Sequence, residues 1–153
     1  MILIIFKIGE VYMTVFKKCN VFTGKKLDIL TMIHDFEDGI IKAVREHFLA
    51  KFHSGCYFHW LKALVEMMTK MGFDNDFKWE LQKEFKFLTV IERDNIEHGI
   101  EYIREKAKKI KGYKGHKKLL DEFLDRYFRD QWMRTGMIAL RNFNGTTDWK
   151  EKM

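Results

Sequence analysis

Apolar residues recur along this chain in two rhythms, and the change between them falls at Asp35. Ahead of it, Ile2 to Phe6 and Ile29 to Ile33 are short, nearly continuous apolar runs rich in β-branched residues. Strands buried on both faces of a parallel sheet have this pattern. Between them, IGEVYMTVFKK carries Val11, Val15 and Phe16 among polar positions and predicts a short helix, followed by the turn signal TGKK. Strand, helix, strand is a βαβ unit, whose crossover is expected to be right-handed.

After Asp35 the period lengthens. Ile40, Ile41, Val44 and Phe48 recur at helical spacing, with Glu37 and Asp38 in the first turn, where the helix dipole favours acids. AKFHSG, residues 50 to 55, reads as a third short strand. Tyr57, Trp60, Leu61, Leu64, Val65, Met68 and Met71 then trace one face of a longer helix that stops at Gly72. Beyond residue 73 only helices are predicted. Their apolar faces are Phe77, Leu81 and Phe85; then Ile96, Ile100, Ile103, Ala107 and Ile110; then Leu119, Leu120, Phe123, Leu124, Tyr127 and Phe128. The fold class expected is α/β, a partial sheet of about three strands followed by a mostly helical region.

Composition narrows the class. At 153 residues, 46% hydrophobic and 15% aromatic, the chain can bury one ordinary core without disulfides or metals. Its two cysteines, Cys19 and Cys56, make a weak case for a disulfide and favour a reducing compartment. The apolar start is too short to span a bilayer and lacks a signal peptide's basic flank and cleavage site, so an intracellular chain with no membrane partner is expected. A net charge of +6 suits an anionic partner. Much of it lies in KAKKIKGYKGHKK, residues 106 to 118, where Lys108, Lys109, Lys111, Lys114, Lys117 and Lys118 are candidates for phosphate contact, with a solvated helix end as the alternative.

Three residues could carry chemistry. Asp35 closes an apolar strand pattern, where open α/β sheets place catalytic groups and a carboxylate can hold a divalent metal; alternatively it caps the following helix. Cys56 and His59, in SGCYFHW, have the spacing of half a zinc site, but a closed site needs four ligands and no second pair follows. Packing beside the sheet edge is the other reading. The aromatic clusters Phe58 with Trp60, and Tyr127, Phe128 with Trp132, match helix core faces better than base-stacking platforms.

The order of these pieces carries a resemblance. TMIHDFEDGIIKAVREHF followed at once by AKFHSGCYFHWLKALVEMM resembles the core of Mutator-like element (MULE) transposases, in which a strand ends in Asp-Phe-Glu, a helix follows, and a further strand runs into Gly-Cys-x-x-His. GEVYMTVFKK and DRYFRDQWMRTGMIALRNFNGTTDW resemble that family's flanking segments. The resemblance implies a ribonuclease H-like catalytic domain with an Asp, Asp, Glu triad and two Mg2+ or Mn2+ ions, nuclear location, and transposon-end DNA as partner. Asp35 would be the second Asp, and Cys56 and His59 the family's Cys-x2-His pair. Residues 1–60 would form a partial catalytic core, 61–135 a helical insertion, and 136–153 the start of the C-terminal catalytic segment. The family's first Asp has no counterpart here, and Thr147 stands where the final Glu is expected, with Asp148 one residue late. Family prolines are also gone, in a chain with no proline where average usage of about 5% would supply seven or eight. The resemblance therefore implies a truncated, inactive piece of a transposase. The alternative is a basic DNA- or protein-binding module of the same descent, and a zinc-stabilised domain is a third reading.

Overall fold

The structure, a computed structural model, describes residues 9–24, 31–47 and 52–134. It divides into two compact units, Met1–Cys56 and Tyr57–Met153.

In the first unit, α1 (Gly9–Thr23) packs against α2 (Asp38–His47), and between them in sequence lies β1 (Thr31–His34), paired in parallel with β2 (Phe52–Gly55). The register sets Thr31 opposite Phe52 and His34 opposite Gly55, so both strands end at the same level. Two cross-links fix the helices: Tyr12 Oη donates to Glu37 Oε2 at 3.3 Å, and Asn20 Nδ2 donates to the carbonyl of His47 at 3.0 Å. Ile41, Ala43 and Val44 supply the buried face of α2.

The expected α/β fold on about three sheet strands, ribonuclease H-like in plan, is corrected here. The described residues are mostly helical, and their only strands are the four-residue pair β1 and β2. Where apolar residues recur every three or four positions the chain satisfies its backbone within helices, and little remains for a sheet. The apolar run ending at Ile33 was expected to be buried on both faces, yet Ile33 is 62% exposed. The expected strand Ile2–Phe6 lies outside the described residues, as does the segment 136–153.

The second unit is a stack of helices around an aromatic core. Helix α3 (Tyr57–Lys70) buries Trp60, Leu64 and Met68. It ends where Gly72 takes φ +92°, with Gly72 N–H bonded to the Thr69 carbonyl and Phe73 N–H to the Met68 carbonyl, both at 3.1 Å. That pair of bonds satisfies the last carbonyls of the helix and needs a residue tolerant of left-handed backbone. Helix α4 (Asn75–Phe85) starts on Asp74, whose Oδ1 accepts from Phe77 N–H at 2.8 Å. It buries Phe77, Leu81 and Phe85, and it also buries Lys78, whose Nζ donates to Thr69 Oγ1 at 2.8 Å. A 3-10 turn (Lys86–Thr89) leads toward α5 (Ile96–Ala107), which buries Ile96, Ile100, Ile103 and Ala107.

Helix α6 (Tyr113–Glu122) continues through a π-helical segment (Phe123–Phe128) into the short α7 (Arg129–Trp132). The wider turn brings Phe123 and Phe128, five residues apart, to one buried face. At the centre, Trp60 meets Phe85 and Trp132 edge-on at 6.5 and 6.4 Å, and Phe85 meets Phe123 and Phe128 at 5.8 and 5.5 Å. The first three contacts are edge-to-face, a favoured arrangement for aromatic pairs, and Phe85–Phe128 is tilted at 37°. Of the clusters read as packing, Trp60, Phe128 and Trp132 are buried and Tyr127 is half-buried, but Phe58 is exposed. No described helix is long and apolar enough to cross a membrane.

Candidate functional site

Asp35 is the first residue after β1, and Cys56 the first after β2. Because His34 and Gly55 are register partners, the two residues leave the carboxyl edge of the strand pair side by side. Cys56 N–H donates to the His34 carbonyl at 2.6 Å, extending the pairing one residue past the strands. The Phe36 ring lies directly over Gly55, where any β-carbon would overlap it. The Asp-Phe-Glu and Gly-Cys segments are thus joined by a backbone bond and by a ring seated on a glycine.

The carboxylate of Asp35 is half-buried, and its Oδ1 accepts from Glu37 N–H at 3.2 Å. That bond closes a turn just ahead of α2, since Glu37 precedes the helix's first residue, Asp38; among the described residues Asp35 makes no bond to an N–H of the helix itself. Glu37 in turn accepts the Tyr12 hydroxyl, whose pKa burial pushes up, with the Glu37 and Asp35 carboxylates adding to the effect. The buried His34 donates from Nδ1 to the Asp35 carbonyl, and burial holds its pKa below the usual 6.5. Its desolvation outweighs the opposing help from that bond and from the Asp35 charge.

A two-metal centre needs several oxygen ligands converging on each ion. Among the described residues no group of three or more His, Cys, Asp or Glu side chains could hold a metal, and the Asp35 and Glu37 carboxylates are already engaged by Glu37 N–H and Tyr12. The described residues alone do not make a site that fits Mg2+ or Mn2+ catalysis. They do not fit a closed zinc site either: Cys56 is half-buried and His59 is exposed in the first turn of α3, its ring edge-on to Phe58 at 5.9 Å.

The basic segment is a helix end and turn with its candidate lysines in solvent, and a histidine braces it. Gly112 takes φ +86° ahead of α6, and the His116 ring closes the turn. Its Nδ1 donates to the Gly112 carbonyl at 3.1 Å, its Nε2 accepts from Asp74 N–H at 3.2 Å, and its face stacks on Phe77 at 4.5 Å. Lys108 pairs with Glu105, and Lys117 lies 4.0 Å from Asp121. Lys109, Lys111, Lys114 and Lys118 are exposed, with no ion pair to any described residue. Asp74 and Asp76 share with Lys111 the lining of a cavity of about 280 Å³, so the basic surface is interrupted by acid on that side.

Sequence reading missed a second surface. Trp79, Lys83, Lys86 and Phe87 are all exposed at spacings of four, seven and eight, and Phe87 touches Tyr102 of α5 with ring centroids 5.3 Å apart. The signal was present in the sequence: Trp79 and Phe87 each fall two positions off the Phe77, Leu81, Phe85 face, on the polar side of the helix.

No family model, characterised protein or solved structure matches this chain. The likeness to MULE transposases rests on the residues quoted above.

Proposed function

We propose that this protein descends from a MULE-type transposase and is a nuclear DNA-binding chain without strand-transfer activity of its own. The observation that carries the reading is the parallel pair in which Asp35 and Cys56 leave adjacent strand ends, joined by Phe36 over Gly55. It gives one structural reason for Asp-Phe-Glu and Gly-Cys to occur together, the order on which the resemblance depends. The absence of strand transfer is proposed because Asp35 gathers no further metal ligands among the described residues, and one carboxylate cannot hold the metal pair that cuts and joins DNA. DNA contact is assigned to Lys109 and Lys111 on the turn that His116 braces and to Lys114 and Lys118 in the α6 helix that follows it.

The test is to incubate the purified chain with Mg2+ or Mn2+ and labelled duplex carrying a terminal inverted repeat. Binding without cleavage is expected. Neutralising the four lysines should weaken binding and lower the slope of log K against log salt by up to about 0.9 for each phosphate no longer neutralised. Cleavage that disappears in Asp35→Asn would overturn the absence of activity, and an unchanged salt slope would remove the lysine turn from the interface.

A further inference from the structure

We propose that the exposed face of α4, the following 3-10 turn and α5 is a binding surface for single-stranded nucleic acid. Three large rings stand in solvent there: Trp79 at 62% exposure, Phe87 at 45% and Tyr102 at 39%. Each has a lysine close by. Lys83 Nζ lies 5.4 Å from the centre of the Trp79 ring, Lys106 Nζ lies 5.1 Å from that of Tyr102, and Lys86 precedes Phe87 in the chain. Lys109, exposed and unpaired among the described residues, follows Lys106 by three positions, in the turn after α5, where its N–H bonds the Lys106 carbonyl. Rings and lysines therefore alternate in groups: Trp79, then Lys83 and Lys86, then Phe87 and Tyr102 in contact, then Lys106 and Lys109.

That alternation selects the partner. The core of a protein interface is depleted of charge, whereas here an ammonium sits at two of the three rings. An unpaired base offers a π-face to each ring and a phosphate to each lysine, and such stacking tolerates any base sequence. A duplex hides its base faces, so the rings distinguish single strands from double. Carboxylates flank the strip: Glu80 pairs with Lys83 at 2.6 Å, and Glu84 faces Lys106. Binding is therefore expected to rest more on stacking than on charge. The inference does not depend on transposase descent.

The full chain is titrated with a 20-nucleotide oligothymidylate and separately with a 20-base-pair duplex, following tryptophan fluorescence and the anisotropy of labelled DNA. Single strands should bind more tightly than duplex and quench the exposed Trp79. Trp79→Ala with Phe87→Ala should weaken single-strand binding by at least tenfold, since stacking contributes about 1–3 kcal/mol per base. Trp79→Phe with Phe87→Tyr, which keeps both rings, should restore most of it and controls for folding. Neutralising Lys111, Lys114 and Lys118 should leave the quenching in place, which separates this surface from the lysine turn. Equal affinity for duplex once Lys111, Lys114 and Lys118 are neutralised, or full single-strand affinity in the ring-deleted variant, overturns the proposal. So does a chain that ignores oligothymidylate but self-associates through Phe87, because the face would then be a protein interface.

Discussion

The ring of Phe36 rests on the Cα of Gly55, nineteen residues along the chain and on the neighbouring strand's end. Gly55→Ala must push a β-carbon into that ring, and we expect a loss of about 1–3 kcal/mol in the first unit, as overpacking typically costs. In a Phe36→Ala background the same substitution should be nearly neutral. Urea denaturation of the four-member cycle measures the coupling, and simple additivity would show that the ring does not sit there.

His34 links stability to pH. Its folded pKa is lowered from 6.5, chiefly by burial, so the unfolded chain binds the proton more readily. Stability is complete above about pH 6.5 and falls as pH drops below it toward the lower folded value. Corrected for the intrinsic slowing of exchange at lower pH, protection of the β1 and β2 amides should fall between pH 7.5 and 5.5, and His34→Asn should flatten this response.

Arg104 gathers three carboxylates: its Nε lies 3.3 Å from Glu101, Nη1 lies 2.7 Å from Asp121, and Nη2 bonds Asp125. The arginine side chain is only 17% exposed, while its partners are open to solvent. Arg104→Met should cost about 1–2 kcal/mol, in line with charge-assisted bonds tempered by screening. Arg104→Lys should recover less than half, because an ammonium cannot reproduce the fork. Molar salt should narrow the gap between wild type and Arg104→Met in chemical denaturation.

His116 joins α4 to the basic turn. His116→Ala removes the stack on Phe77 and the bonds to Asp74 and Gly112, with an expected loss of about 1–2 kcal/mol. His116→Phe should restore the stacking part alone. Hydrogen exchange at residues 108–112 should rise in both variants, since neither can hold the Gly112 carbonyl.

Much of the helical unit was legible because its core obeys a single period. Phe77, Leu81 and Phe85, or Ile96, Ile100 and Ile103, are buried where their spacing puts them, and Gly72 ends α3 as expected. Strands β1 and β2 fall in the stretches read as strands, residues 29–33 and 50–55, but the small extent of the sheet and the exposure of Ile33 were not legible. An apolar run such as Ile29 to Ile33 is compatible with a strand, a helix or a partly exposed edge, and only its neighbours decide. Contacts between distant residues also escaped. Nothing local announces that Phe36 needs Gly55, or that His116 will reach Asp74 forty-two residues away. Asp35 was placed correctly at a strand end, but sequence alone left open whether its carboxylate would cap the helix or hold a metal. The bond from Glu37 N–H ties the carboxylate to the turn before α2, which is neither of those roles.

The π-helical turn between Phe123 and Phe128 has a consequence for how this chain can change length. A helix holding one residue more than its turns require can give that residue up. Deleting the exposed Arg126 would leave the two phenylalanines four apart, the spacing at which an ordinary α-helix presents both to the same side. The shortened helix would present the same aromatic face, so the site where a single-residue deletion is best absorbed lies inside a helix rather than in a loop.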